Sequence, residues 1–247
     1  LSGIGDGDAG LTQTLTVTAT SNNTSLIPNP TVTYTSDNTT GSLAYTPVSD
    51  INGSAVITVT VEDNGGTANS GANSTTRTFT VNVTAVNDEP SFTKGSNITV
   101  LEDSGTSTTS GWASSISKGP SNESGQTLTF TVSNNNNSLF STQPAISSSG
   151  NLTFTPASNA NGAATVTVVL SDDGGTANGG DDTFATQTFT ITVTAVNDAP
   201  VIDAISNPSP ILEDASAQTI SLFGIGDGDT EVAVTQALTV TATSNNT

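Results

Sequence analysis

The sequence contains no cysteine, histidine or methionine. Without cysteine, neither disulfides nor thiolate zinc sites can form, and without histidine the usual general base and the Ser-His-Asp arrangement are absent. We therefore expect a protein that is not an enzyme. No apolar run reaches the length of about 18 residues that a membrane span requires. The chain opens at Leu1 without a visible signal peptide or an initiator methionine, and we expect it to be a segment of a longer protein.

Positive charge is also scarce. The chain has 22 Asp and Glu residues but only 3 Lys and Arg, which gives a formal net charge of −19. Nucleic acid is excluded as a partner because phosphates require a basic face, and an anionic membrane surface is unfavourable for the same reason. The negative charge either keeps the surface soluble or is neutralised at particular places by divalent cations.

The residues that are present indicate β-structure. Hydrophobic residues make up only 32% of the chain, but charged residues make up only 10% and the apolar residues are periodic, which argues against disorder. Thr and Val are abundant, and their branched side chains favour strands. Apolar residues alternate with polar ones, which predicts antiparallel sheets with one solvated face. The alternating sets are Leu15/Val17/Ala19, Ile57/Val59/Val61, Phe79/Val81/Val83, Leu128/Phe130/Val132, Val166/Val168/Leu170 and Phe189/Ile191/Val193.

Two periods of internal repetition divide the chain. Residues 85–90 (Ala-Val-Asn-Asp-Glu-Pro) recur with one change at 195–200, so one period is about 110 residues. A Gly-Ile-Gly-Asp-Gly-Asp block at 3–8 recurs at 224–229, so a longer unit of about 221 residues contains two slightly different domains. The repeats predict an incomplete domain at 1–88, a complete domain at 89–198 and the start of the next domain at 199–247. About seven short strands per repeat predict a β-sandwich.

Acidic residues recur at the junctions between repeats. Each Asn-Asp-x-Pro block directly follows the last strand of a repeat, and further acids lie downstream at Glu102, Glu213, Asp227 and Asp229. Calcium takes about six to eight oxygen ligands from carboxylates, Asn side chains and backbone carbonyls. Carboxylates gathered at one linker would repel each other strongly unless a cation sat between them. The junctions are therefore candidate calcium sites.

The order of these motifs resembles a known family. An apolar strand, Asp-x-Gly-Gly, a further strand, Ala-Val-Asn-Asp-x-Pro, Glu-Asp and Gly-Asp-Gly-Asp follow one another as in the bacterial cadherin-like or Ig-like repeats (tandem-95 type) of very large secreted adhesins. The resemblance spans the whole chain and is most specific in the linker block with the following Glu-Asp. It implies an all-β fold of tandem Greek-key β-sandwich (cadherin/Ig-like) domains of about seven strands, arranged as a rod, with Ca2+ bound at each junction to hold successive domains rigid.

The resemblance also implies the calcium ligands of the second junction. Asn197 and Asp198 of the linker would bind the ion, together with Glu102 from the preceding domain and Asp227 and Asp229 from the following one.

At the first junction the resemblance implies Asn87 and Asp88 together with Asp172. No Asp-x-Asp follows this linker, and Glu123 is only a weak substitute, so we expect fewer ions there. Three further candidate ligands, Asp6, Asp8 and Asp63, belong to a junction whose other half precedes Leu1. Glu213 follows the second linker as Glu102 follows the first, and it is also a candidate ligand.

Other interpretations compete with calcium at these positions. Each linker could be a solvated turn without an ion, and the acidic blocks could be plain surface loops. An EF-hand is excluded because its twelfth position, counted from Asp6 or Asp227, is Val17 or Leu238 rather than Glu. The stretch 172–182 hints at the Gly- and Asp-rich repeats of calcium β-helices, but it occurs once, so a long hairpin is preferred.

Further chemistry is weakly indicated. Paired carboxylates could serve a glycosidase, but the only aromatic residues available for a sugar platform are Tyr34, Tyr45 and Trp112. We expect Trp112 either in the core or as a plug at a domain edge. Lys94 or Lys118 could form an isopeptide bond with an Asn. The Asn-x-Ser/Thr sequons are interpreted as coincidence in so Asn- and Thr-rich a chain; they include Asn38, Asn52, Asn82, Asn97 and Asn151.

The leading functional interpretation is a calcium-stiffened structural or adhesive segment of a giant adhesin or surface filament, secreted to the cell surface. Its partners would be neighbouring repeats of the same protein, with a cell-surface or glycan ligand bound elsewhere in the full protein. Two alternatives stay open: a protomer that self-assembles into an extracellular fibre or sheath, and a carbohydrate- or protein-binding module. Near-identical polar loops in successive repeats favour the spacer.

Overall fold

The structure is a computed structural model that describes residues 1–8, 12–228 and 236–245. Within these ranges almost all regular structure is β-strand, and the helical residues form short 3₁₀ turns at Ala68–Ser70, Ser121–Glu123, Asn137–Leu139 and Ala177–Gly179. None of these turns is long and apolar enough to cross a bilayer. In chain order the strands are β1 (Leu15–Ser21), β2 (Thr31–Thr33), β3 (Ser42–Ala44), β4 (Gly53–Asp63), β5 (Ser74–Val83), β6 (Ser91–Thr93), β7 (Ile98–Leu101), β8 (Ser107–Thr109), β9 (Ser114–Ser117), β10 (Thr129–Asn134), β11 (Phe140–Ile146), β12 (Leu152–Pro156), β13 (Gly162–Ser171) and β14 (Gln187–Thr194).

The chain folds as two compact units. Unit 1 comprises Leu1–Asp88 together with Lys118–Gln126 and Gly174–Asp182, and unit 2 comprises Glu89–Ser117, Thr127–Asp173 and Thr183–Thr247. Two later loops therefore pack with the first repeat. The domain limits drawn from the sequence repeats stay a prediction.

Unit 1 is built on an antiparallel sheet with the strand order β1-β4-β5, and β2 and β3 form a separate antiparallel pair. Alternate residues of β1 face the core, where Leu15, Val17 and Ala19 are buried while the intervening threonines are exposed. They pack with Ile57 and Val59 of β4, which the alternation also predicted to face inward. Because successive strand residues point to opposite faces, this pattern buries one face of the sheet and leaves the other in water.

Unit 2 is a sandwich of two sheets. One sheet has the strand order β10-β13-β14-β7 and the other β11-β12-β8, while β6 and β9 form a small pair of their own. The inner faces share one core, in which Phe154 and Leu152 of β12 and Val166 and Ile191 of the facing sheet are fully buried. The all-β prediction is confirmed, and in this unit the two main sheets contain about the predicted number of strands.

Trp112 belongs to the core of unit 2, as predicted. Its side chain is only 3% exposed, its ring centroid lies 4.2 Å from that of Phe189, and its indole N–H donates to the Ser96 carbonyl at 3.0 Å. The indole therefore both fills the core and satisfies its polar atom, as a buried tryptophan requires.

Strand β7 forms one edge of the four-stranded sheet of unit 2. It runs parallel to β14, from Ile98 opposite Ile191 to Leu101 opposite Thr194, whereas the other strand pairs of the described sheets are antiparallel. Strand β14 is thus hydrogen-bonded on both sides. Its counterpart one repeat earlier is β5, which within the described part of unit 1 pairs with β4 alone.

Candidate metal-binding linkers

Asn87 of the first linker is enclosed by the loop Gly174–Asp182. Its side-chain Nδ2 donates to the Asp181 carbonyl at 2.6 Å, and the Asp181 amide donates to the Asn87 carbonyl at 3.0 Å. The Gln126 amide donates to Asn87 Oδ1 at 2.5 Å. A methyl group at Gly174 would overlap that same oxygen, so glycine is what lets the loop backbone approach the linker. The linker is therefore held by side-chain amides and backbone, with Asn87 at its centre.

Glu123 lies directly beside Asp88. It ends the 3₁₀ turn Ser121–Glu123, its side chain is 6% exposed, and its Oε1 accepts a hydrogen bond from the Asp88 amide at 2.8 Å. Its Oε2 is also buried, and nothing in the described part of the chain hydrogen-bonds it. Gly119, with φ of +115°, brings the backbone so close that a methyl group there would overlap Oε2. Glu123, which was predicted to be only a weak substitute for the missing Asp-x-Asp, is thus the carboxylate that hydrogen-bonds this linker.

Glu102 lies at the start of the second linker for a simple topological reason. Because β7 runs parallel to β14, both strands end at the same edge of the sheet, and the Glu102 amide continues the ladder by donating to the Thr194 carbonyl at 3.0 Å. The Val196 amide in turn donates to Glu102 Oε1 at 2.6 Å. The side chain is 1% exposed, and among the described residues its Oε2 has no hydrogen-bond partner.

The rest of the second linker meets the turn at 226–228. Val201 and Gly226 exchange two backbone hydrogen bonds of 2.9 and 3.1 Å, and a methyl group at Gly228 would lie 3.5 Å from the Asp198 Cβ. Asp198 and Asp227 are both half-buried, whereas Asn197 is exposed and donates to the Asp198 carbonyl at 3.1 Å. The structure thus brings the turn that carries Asp227 beside Asp198; Asp229 lies outside the described residues.

Asp6, Asp8 and Asp63 lie at the end of unit 1 that is remote from Asn87. Asp6 accepts hydrogen bonds from the Asp8 and Gln13 amides, both at 3.3 Å, and the Gln13 side chain donates to Asp8. Asp63 accepts from the Gly65 amide at 2.8 Å, and Asp6 and Asp63 line the same surface pocket. The three predicted residues therefore share one end of unit 1.

Two predicted ligands are not described by these contacts. Asp172 is half-buried and directly follows β13. Glu213 is exposed on unit 2. Within residues 1–8, 12–228 and 236–245 no three acidic side chains come together in an arrangement that would hold a metal ion.

The glutamines at these sites were missed from the sequence. Gln13 contacts the Asp6–Asp8 block and Gln126 contacts Asn87, so each occupies the same place at the end of a repeat. A signal for them exists in the sequence: Gln-x-Leu-Thr occurs at 13–16, 126–129 and 236–239, and the first two copies lead into β1 and β10. A side-chain amide can both donate and accept hydrogen bonds. Gln13 and Gln126 can therefore orient the polar groups beside them without adding charge.

The chain is similar to solved structures of cadherin ectodomains. It is 19% identical to chicken VE-cadherin EC1-2, with a TM-score of 0.35, over 77% of this chain and 88% of that one. It is 17% identical to the human Desmocollin-1 ectodomain, with a TM-score of 0.31, over 78% of this chain and 35% of that one. No protein-family model and no curated protein matches the sequence significantly. At these TM-scores the assignment of the fold class rests on the chain's own sheets.

Proposed function

We propose that the chain is a non-catalytic, calcium-stiffened repeat segment of an extracellular adhesin or surface filament. The extracellular assignment follows from the resemblance to secreted adhesin repeats. The mechanical part of the proposal rests on the linkers. They join successive repeats, and the buried carboxylates of Glu102 and Glu123 accept hydrogen bonds from their backbone.

The observation that carries the proposal is the buried carboxylate of Glu102. One oxygen binds the linker backbone at Val196, while the other is buried and has no hydrogen-bond partner within the described residues. A buried polar atom without a partner costs at least about 1–3 kcal/mol, and more when it is charged. A chain with a net charge of −19 has few cationic side chains that could offset this cost. A bound cation would do so.

The chemistry of the available ligands fits calcium. Carboxylate, Asn carbonyl and backbone oxygens are the ligands that calcium prefers, whereas the nitrogen and sulfur ligands of zinc are absent from the sequence. At the second linker the proposed ligands are Glu102, Asn197, Asp198 and Asp227, with Asp229 added from the sequence. A divalent cation there would neutralise the carboxylates and tie the end of one repeat to the start of the next.

The first linker would bind calcium through a different set of ligands. Glu123 takes the place of the missing Asp-x-Asp, and its buried Oε2 repeats the situation of Glu102. Asn87 and Asp88 are its proposed companions, with Asp172 added from the sequence. The group formed by Asp6, Asp8 and Asp63 would serve the preceding junction in the same way.

The test is a comparison of Glu102→Gln with the control Glu62→Gln, which also removes one charge but from an exposed position on β4. Glutamine keeps an acceptor for the Val196 amide, so the fold is retained. Calcium at about 100-fold above its dissociation constant would stabilise the chain by about 2.7 kcal/mol. That corresponds to about 5–10 °C in melting temperature for a chain of this size.

Differential scanning calorimetry with calcium and with chelator should show this shift in the wild type and in Glu62→Gln, and a much smaller shift in Glu102→Gln. Isothermal titration should show the corresponding loss of affinity. Small-angle scattering should show a broader distribution of distances in chelator. Identical melting and scattering with and without calcium in the wild type would contradict the proposal.

A further inference from the structure

The loop that follows β4 begins with an Asn-Gly pair in which two groups that can react with each other are both hydrogen-bonded. Strand β4 ends at Asp63, and Asn64 and Gly65 are exposed residues outside the strands. The Thr14 amide donates to Asn64 Oδ1 at 3.0 Å, and the Gly65 amide donates to Asp63 Oδ1 at 2.8 Å. The side-chain carbonyl of Asn64 and the backbone nitrogen that follows it thus each contact a polar group.

The reaction between these two groups closes a ring. The Gly65 nitrogen and Asn64 Cγ are separated only by atoms of Asn64 itself, so rotation about its own bonds brings them together. Attack joins the nitrogen to Cγ, and Nδ2 leaves as ammonia with the hydrogen that the Gly65 nitrogen loses. The product is a succinimide. Water then opens either carbonyl of the ring and gives Asp or isoAsp.

The two hydrogen bonds favour ring closure. Negative charge develops on Asn64 Oδ1 during the attack, and an amide donor already aimed at that oxygen stabilises the charge. The Gly65 nitrogen must lose its hydrogen, and a carboxylate within hydrogen-bond reach accepts it as a general base. Asn64 is exposed, so the ammonia can leave and water can reach the ring. The fold therefore activates both partners of the reaction.

The packing of unit 1 also favours glycine at position 65. A methyl group there would lie 2.6 Å from the Gln13 side-chain oxygen, so a larger residue would require Gln13 to move. Glycine has no side chain that could hinder attack by its own nitrogen. The residue that follows Asn64 is thus the one that permits ring closure most readily.

We propose that Asn64 is a self-modification site at which unit 1 converts an amide into a carboxylate through a succinimide, with water as the only co-reactant. Unit 2 shows that a carboxylate fits this place. Asp173 is equivalent to Asn64 in the repeat, and its Oδ1 accepts from the Thr127 amide at 2.7 Å, as Asn64 Oδ1 accepts from Thr14. The Asp product keeps this contact and adds a negative charge next to Asp63.

The chain contains three further Asn-Gly pairs that serve as internal controls. In two of them the glycine begins β4 or β13 and is paired with a neighbouring strand, so ring closure would disturb a sheet. In the third, the asparagine lies within the last of the 3₁₀ turns, which ring closure would disturb as well. In the unfolded chain these differences disappear. The three pairs are Asn52-Gly53, Asn161-Gly162 and Asn178-Gly179.

The test compares the four pairs within one chain, with chelator present throughout. The native protein and the protein in urea are incubated side by side, and peptide mass spectrometry follows the conversion of each asparagine. Asn64 should react about tenfold faster in the native protein than in urea, a small part of the about 10²–10⁴ that a positioned general base contributes. The other three should react more slowly in the native protein. Hydroxylamine, which cleaves a chain at a succinimide, should cut the native protein first between residues 64 and 65.

Substitutions separate the two hydrogen bonds from simple exposure. Asp63→Asn keeps an acceptor for the Gly65 amide but removes the carboxylate, and it should slow the native reaction about tenfold. Thr14→Pro removes the amide that contacts Asn64 Oδ1 and should also slow the reaction. Glu62→Gln removes one charge from the preceding, exposed residue and should leave the rate unchanged. The comparison with urea uses the native sequence and therefore stands even if a variant fails to fold.

A native rate at Asn64 that equals or falls below its rate in urea would overturn the proposal. A faster reaction in Asp63→Asn would also overturn it, because the hydrogen bond to Asp63 would then protect the Gly65 amide. Conversion of the native protein without cleavage by hydroxylamine would indicate direct hydrolysis of the side chain and would contradict ring closure. Since all measurements are made in chelator, a failure of the calcium proposal leaves the result intact, and the converse also holds.

Discussion

Phe79 and Phe189 occupy the same place in successive repeats but differ in burial, which allows a matched test of the packing. Phe189 is 4% exposed and packs against Trp112 with its ring tilted by 41°, whereas Phe79 is 37% exposed and has Tyr45 as its ring neighbour at 6.4 Å. Replacing each by alanine removes the same atoms from two different environments.

The two substitutions should lower the free energy of unfolding by different amounts. Phe189→Ala loses the transfer free energy and leaves a closed cavity, which together cost about 3–5 kcal/mol in a protein core. Phe79→Ala loses only the transfer free energy of a side chain that is roughly two-thirds buried, which is about 1–2 kcal/mol. It leaves no closed cavity, because the site already opens to solvent. The expected difference is therefore about 2 kcal/mol.

Urea unfolding can measure the two effects separately. The single tryptophan, Trp112, lies in unit 2, and both tyrosines, Tyr34 and Tyr45, lie in unit 1. Tryptophan fluorescence should report the loss in Phe189→Ala, and tyrosine fluorescence at low protein concentration should report the loss in Phe79→Ala. Equal losses of unfolding free energy in the two variants would refute the burial argument.

Two further predictions concern the first linker. Gly174→Ala should lower the stability of unit 1 by about 1–3 kcal/mol because its methyl group would overlap the Asn87 side chain. Gly125→Ala, which meets nothing within 4 Å, should be nearly neutral in the same urea titration. Glu123→Gln should not lower the melting temperature in chelator, because an amide is less costly to bury than an unpartnered carboxylate oxygen. It should lower the melting temperature in calcium, and equal effects in both conditions would contradict a metal role for Glu123.

The strands could be predicted from the sequence because their signal is local. The alternation in Leu15, Val17 and Ala19 places one face inward whatever the neighbouring strand is, and all three are buried. The same alternation in β5 predicted a buried face at Phe79, which is 37% exposed. Burial of an edge strand depends on whether another strand covers it, and nothing in the local pattern of β5 contains that information.

The candidate sites were predictable only in part. The residue types at the repeat ends and the family resemblance made Asn87, Asp88 and Glu102 candidate ligands, and their metal-binding role stays a prediction. The contact of Glu123 with the first linker could not be predicted, because no spacing rule reveals its hydrogen bond with the Asp88 amide. The contact of Gln126 with Asn87 was not predicted, because the prediction followed charged residues and the glutamine amide is uncharged.

The parallel pairing of β7 with β14 has a mechanical consequence. Strand β7 lies near the start of unit 2 and β14 leads directly into the following linker. A tension applied across this repeat pulls the two strands in opposite directions along their length. The hydrogen bonds between them are then loaded in shear and must yield together, rather than opening one after another from an end. A repeat fastened in this way resists stretching through its topology, whether or not an ion is bound at its linkers.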